Sequence, residues 1–146
     1  MPHPNPDAEP ENIRVTGLDH IVLTVRDMDA AIAFYGNSLG FDILRSPEGR
    51  VAVSCGNHKI NLHQYGREFS PHASVPAPGS GDFCILVETD IDTVAAFLKK
   101  RGVPLLEGPV IRNGAAGTLR SVYLRDPDGN LVELANVTVS DVSTPA

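Results

Sequence analysis

At 146 residues, with 42% hydrophobic and 21% charged residues, the chain has the size and composition of one globular domain that can bury a core. A formal charge of −6 argues against a nucleic-acid partner, which calls for a clustered basic surface. No apolar run approaches the roughly 20 residues of a membrane span, and two cysteines fit free thiols in a reducing cytoplasm.

The opening "MPHPNPDAEPEN" is acidic and proline-rich, with neither a basic leader nor a hydrophobic segment. It is expected to be a disordered arm over 1–14. "LDHIVLTV" from residue 18 reads as a strand, with Ile21, Leu23 and Val25 as an aliphatic stripe. Leu18, His20, Val22 and Thr24 share the other face. In "RDMDAAIAFYGNSLGF" the helical spacing of Ala31, Phe34, Tyr35 and Leu39 predicts a helix, with Asp29 as N-cap and Gly40 as stop. Three short strands follow, at "FDILR", "RVAVSC" and "KINLHQY". In the last of these Ile60, Leu62 and Gln64 point one way, and Asn61 and His63 the other. His58 falls at the intervening hairpin turn, and His72 in a Pro- and Gly-rich connection over 67–79; both are expected at the surface.

"DFCILVET" opens a second series. Cys84 shares a face with Asp82 and reads best as a small buried hydrophobe. "DIDTVAAFLKKRG" predicts a helix with Val94, Phe97 and Leu98 on one side, a basic run that complements the helix dipole, and Gly102 as its end. "VPLLEGP", "LRSVYLR" and "NLVELANV" supply three more strands, with Asp128-Gly129 in a hairpin position between the last two. Residues 138–146 read as a flexible tail.

Each half thus reads strand, helix, strand, strand, strand. A shift of 62 residues sets His20 on Asp82 and Val25 on Val87, and a shift of 72 sets "INL" on "VEL". The organisation is a pair of modules, 15–66 and 80–137, within one domain over 15–137. Equivalent residues of like sheets face equivalent ways. His20, Asp82, Asn61 and Glu133 are therefore related, all polar within otherwise apolar strands. If the sheets curve together, they converge on one concavity.

These residues give the chain its resemblance to the vicinal-oxygen-chelate superfamily, which includes glyoxalase I, extradiol dioxygenases, fosfomycin-resistance transferases and bleomycin-binding proteins. "LDHIVLTVRDMDAAIAFYGNSLGF" and "YLRDPDGNLVEL" carry the match, which spans Gly17 to Val137. The linker "NLHQYGREFSPHASVPAPGSGD" resembles a subgroup of small glyoxalase-domain proteins, some of them labelled virulence proteins. The resemblance implies an α+β fold of two βαβββ modules forming a cup-shaped mixed sheet, a homodimer and a small-molecule substrate. It also implies a divalent metal (Ni, Zn, Mn, Co or Fe) held by residues of the first and last strand of each module. His20 matches the first-strand histidine and Glu133 the final glutamate. Asn61 stands where glyoxalase I has a glutamate, and Asp82 where most members have a histidine.

A neutral amide is a poor substitute for carboxylate, which makes Asn61 a substrate contact rather than a ligand. His63, on the same face about 7 Å further along, is a replacement. The expected ligand set is His20, His63 and Glu133, with Asp82 as a fourth ligand or as the carboxylate orienting an imidazole. The activity implied is glyoxalase-like: a lyase- or isomerase-type proton transfer through an enolate, with Glu133 as base. Asn61 puts true glyoxalase I activity in doubt. An extradiol-type dioxygenase and a non-enzymatic resistance or binding protein are the alternatives. Arg112, at the start of the loop "RNGAAG", and Ser121 and Tyr123, alternating with Val122 and Leu124, are the expected pocket lining.

Overall fold

Alternating apolar residues build two sheets, and two short amphipathic helices cover one face of each. The computed structural model describes residues 3, 5–9 and 11–140. The elements run β1 (His20–Val25), α1 (Met28–Ile32), β2 (Ile43–Arg45), β3 (Val51–Cys55), β4 (His58–Gln64), β5 (Asp82–Leu86), α2 (Ile91–Lys100), β6 (Glu107–Asn113), β7 (Gly117–Arg125) and β8 (Leu131–Ser140). Among the described residues the strands form two four-stranded sheets, ordered β1-β4-β3-β2 and β5-β8-β7-β6. In each, the first strand lies parallel to the last and the other pairings are antiparallel. This is an α+β fold of two repeated modules. The registers repeat as well: His20 lies opposite Lys59 and Asp82 opposite Leu131, displacements of 62 and 72 residues.

One face of each sheet is buried. Leu23, Val25, Ile60 and Leu62 from the first module join Ile91, Leu98, Val122, Leu124, Val132 and Leu134 from the second in one core. Fully burying each such side chain stabilises the fold by about 1.5–3 kcal/mol. The other face stays open: Val22 is 44% exposed and Leu86 is 58% exposed.

Several local expectations need correction. Asp27, not Asp29, caps α1, because its carboxylate accepts from the Ala30 N–H at 3.1 Å while Asp29 sits in the first turn. The α-helix gives way at Ala33–Ser38 to wider π-helical turns, in which the Leu39 N–H reaches the Phe34 carbonyl at 2.9 Å. The strand expected at "VPLLEGP" starts only at Glu107 and runs on to Asn113, so Arg112 lies within β6 and not in a loop. Residues 138–140 belong to β8 instead of a tail, and 141–146 lie outside the described residues. The β7–β8 connection is longer than a two-residue hairpin, since Arg125 faces Leu131 across it and only Gly129 adopts positive φ. Phe97 does not join the buried side of α2; it is 38% exposed and packs under the Arg101 guanidinium. Arg101 also donates to the Asn37 carbonyl of the first module.

The "DPDGN" segment ties the two modules together. Buried Asp126 accepts from the Asp128 and Asn130 N–H groups, both at 2.9 Å, and from Asn130 Nδ2 at 2.7 Å. It also accepts from the hydroxyl of fully buried Tyr35 at 2.8 Å, across the module boundary. Asp128 accepts from the Arg26 N–H at the end of β1 (2.9 Å), and Asn130 Oδ1 from the Gly81 N–H just before β5 (2.7 Å). Gly81 is glycine for want of room: a Cβ there would meet the Leu23 side chain at 2.7 Å. Burial, reinforced by the Asp126 charge, holds the Tyr35 phenol far above its ordinary range, so it acts only as a donor.

Candidate functional site

Both open faces present the polar residues singled out in the sequence, in matching places. On the first sheet His20 and Asn61 are diagonal neighbours, because Lys59 is opposite His20 and Asn61 opposite Val22. On the second, Asp82 and Glu133 stand in the same relation, with Leu131 opposite Asp82 and Glu133 opposite Cys84. Diagonal neighbours lie about 7–8 Å apart, within reach of a shared ligand.

The expected four-residue cluster does not form within one chain. Among the described residues no three His, Cys, Asp or Glu side chains come together as a metal site. Register gives the reason for one pair. His63 lies opposite Thr24, four residues beyond His20 along β1, which is about 13 Å. Two imidazoles rising side by side from a sheet at that spacing do not meet on one ion. The His20 Nδ1–H instead donates to the adjacent Asp19 carboxylate at 2.8 Å, with the His20 side chain 45% exposed.

Glu133 sits between fully buried Val132 and nearly buried Leu134, and its Oε2 is buried without a hydrogen-bond partner. The Cys84 thiol and the Tyr123 hydroxyl lie beside its carboxylate. Cys84 is free and exposed, not the buried hydrophobe the sequence suggests. Partial burial of the sulfur, with the Glu133 charge adding, nevertheless pushes the thiol up to about 12. A neutral thiol reacts poorly. In metal-free protein at pH 8, Ellman's reagent is expected to label Cys84 at least about a hundred-fold more slowly than free cysteine, with Glu133→Gln speeding the reaction. Rates measured in a Cys55→Ser background check this, and labelling at the rate of free cysteine would refute it.

The remaining expected residues divide. Tyr123 lies opposite Glu133 in the β7–β8 ladder and faces the site. Burial and the Glu133 charge raise its phenol, against Arg112. Arg112 forms an ion pair with Glu107 at 2.8 Å and lies 5.5 Å from the Tyr123 ring centroid, beside the site. Ser121 is fully buried, with an unpartnered Oγ. His58 and His72 are exposed, as expected.

A cavity of 320 Å³ opens beside the first-sheet face, between β1, the 71–77 segment and the start of β5. His63, Thr24, His72, Val75, Asp82 and Phe83 are among its walls. His63 is 7% exposed and its Nδ1 has no partner; burial, then the nearby Arg50 charge, lowers the imidazole's pKa. Arg50 and Phe69 are functional candidates that the sequence reading missed. The Arg50 guanidinium stacks 4.4 Å from the Phe69 centroid, and the His63 ring meets the same ring edge-on at 5.5 Å. The signal for Arg50 was available in the β3–β4 hairpin. Cys55 opposite His58 sets Val51 opposite Leu62, which brings Arg50 alongside His63.

The model of the Glyoxalase/Bleomycin resistance protein/Dioxygenase superfamily matches residues 17–134. The chain belongs to this superfamily. Within the superfamily it is 47% identical over 118 residues to the virulence protein STM3117 of Salmonella typhimurium, covering 81% of this chain and 82% of that one. The crystal structure of STM3117 superposes with a TM-score of 0.83 at 44% identity, covering 86% of this chain and 100% of that chain. The glyoxalase domain-containing protein RDO1 of Mycosarcoma maydis is 46% identical over 124 residues, 85% of this chain and 70% of that protein. Two relatives named for an activity are more distant. Lactoylglutathione lyase from Agrobacterium tumefaciens superposes with a TM-score of 0.64 at 26% identity, covering 84% of this chain and 95% of that one. Metallothiol transferase FosB of Staphylococcus epidermidis is 27% identical over 88% of this chain and 87% of that protein. No helix among the described residues is long and apolar enough to cross a membrane.

Proposed function

We propose that this protein is a metal-dependent glyoxalase-type enzyme that moves a proton on a small oxygen-chelating substrate, at a site completed by two chains. Glu133 carries the proposal: a carboxylate with one buried, unpartnered oxygen, on an open face, beside two potential hydrogen-bond donors. A residue serving only the fold would have its polar atoms paired.

The donor types fit a first-row divalent cation, which takes imidazole and carboxylate readily. A site shared by two copies is favoured because, among the described residues, no three such side chains come together within one chain. His20 of one chain, with Glu133 and Asp82 from another, would hold the ion. Exposed Val22 and Leu86 on the two open faces offer apolar surface for that association. A bound cation would polarise the substrate oxygens and favour negative charge on them. Glu133 accepts the proton, with Tyr123 and Cys84 steadying its carboxylate. Asn61 donates its amide to a substrate oxygen, where a carboxylate would repel it.

Subunit mixing tests the arrangement without knowledge of the substrate. His20→Ala and Glu133→Gln dimers should each retain little metal. After exchange of equal amounts, half the dimers are mixed and each has one intact site, so about a quarter of full metal content should return. No recovery would eliminate the shared site. Oxygen uptake with catechols after anaerobic iron loading would replace proton transfer with dioxygenase chemistry. Capture of a planar ligand by protein that binds no metal would make the protein a binding module.

A further inference from the structure

Three groups meet at the β3–β4 end of the first sheet. The Arg50 guanidinium lies over the Phe69 ring, His63 packs against the same ring in a T-shaped arrangement, and Arg50 and His63 lie within electrostatic reach of one another. Two features set them apart from ordinary surface polarity. Arg50 forms no ion pair among the described residues, although four such pairs occur elsewhere among them. His63 is 93% buried and still has an unpartnered ring nitrogen. Stacking limits how far the guanidinium can wander, so little freedom remains to be lost when a ligand arrives. Glu68, whose charge reaches His63, is already engaged by the Gly66 N–H at 2.9 Å.

We propose that Arg50 and His63, set around Phe69, bind the carboxylate of a small monocarboxylic acid whose uncharged body lies in the cavity lined by His63. A planar guanidinium matches a planar carboxylate through two parallel hydrogen bonds, and a buried imidazole beside it supplies a further donor. The cavity wall contains no Lys or Arg, and Asp82 is its one carboxylate. A second negative charge on the ligand would therefore find no counter-charge there and would face Asp82. The volume of 320 Å³ suits a compact ligand, not a large conjugate. The assignment deepens the proposed function by naming the substrate class, and rests on it only in treating this acid as the substrate.

Benzoate, benzamide and inorganic phosphate, titrated into metal-free full-length protein and followed by amide and histidine NMR shifts, test the assignment. Benzoate should shift His63 and its neighbours and bind at least ten-fold more tightly than benzamide. Arg50→Gln should abolish that preference and leave the melting temperature unchanged, because the side chain is exposed. Phe69→Ala should weaken benzoate binding while retaining the Arg50 charge. Equal binding of acid and amide, or an unaltered preference in Arg50→Gln, would overturn the carboxylate site. Phosphate binding as tight as that of benzoate would overturn it too, in favour of a tetrahedral oxyanion. Metal content is measured separately, so failure of the metal site in subunit mixing leaves the outcome here readable, and the reverse.

Discussion

Asp126→Ala is expected to destabilise the fold by about 3–5 kcal/mol, the range for removing one partner from a buried, charged hydrogen-bonded group. The carboxylate is 5% exposed and accepts four hydrogen bonds, two from backbone N–H groups and two from the Asn130 and Tyr35 side chains. Alanine leaves the Tyr35 hydroxyl and the Asn130 amide buried without that acceptor, and loosens the turn whose other members hold Arg26 and Gly81. At this chain length the loss corresponds to a drop in melting temperature on the order of 10–20 °C. The chain has no tryptophan, so far-UV circular dichroism is the suitable probe. Tyr35→Phe removes one donor and should cost about 1–2 kcal/mol, less than the acid because Asp126 keeps its other three bonds. A double-mutant cycle should show the two residues strongly coupled. Independent, small effects would mean that the modules are held together by the apolar core alone.

That network shows where sequence reading stops. Hydrophobic alternation predicts both modules, and the 62- and 72-residue shifts anticipate the strand registers, because a period of two leaves little freedom once one face is buried. "DPDGN" reads as a turn, and it is one. What a single sequence does not reveal is that the turn's carboxylate meets a tyrosine 91 positions earlier, a contact set by how the modules pack. The same limit applies at the site. His20, Asn61, Asp82 and Glu133 stand on the expected faces, yet their convergence depends on the relative placement of two sheets and not on any local pattern. His63 misled for another reason. It shares a face with Asn61, but a shared face says nothing about distance along the strand, and four residues are too many. The loop placement of Arg112 fails because the β6–β7 hairpin extends further than its Gly-rich sequence suggests, which makes it a strand residue with an ion-pair partner in Glu107.

Glu133→Gln should move stability and metal retention in opposite directions, which separates a residue kept for function from one kept for structure. In the metal-free chain one carboxylate oxygen is buried without a partner. Such a group costs about 1–3 kcal/mol, more when charged. Glutamine has nearly the same shape and no charge, and its amide N–H groups can donate where the carboxylate could only accept. Metal-free Glu133→Gln should therefore be as stable as the parent or more so, by up to about 1 kcal/mol in urea unfolding. Metal retention should fall about a hundred-fold or more, because a neutral amide oxygen replaces an anionic ligand. With metal present the order of stabilities should reverse, since only the parent gains from a ligand that binds the folded state. A loss of stability in the metal-free variant would mean that Cys84 and Tyr123 pair with Glu133 to support the sheet, and the carboxylate would then be structural. A gain in stability together with lost metal has no structural explanation: it is what a site leaves behind when the fold carries an unsatisfied charge for a partner it has yet to bind.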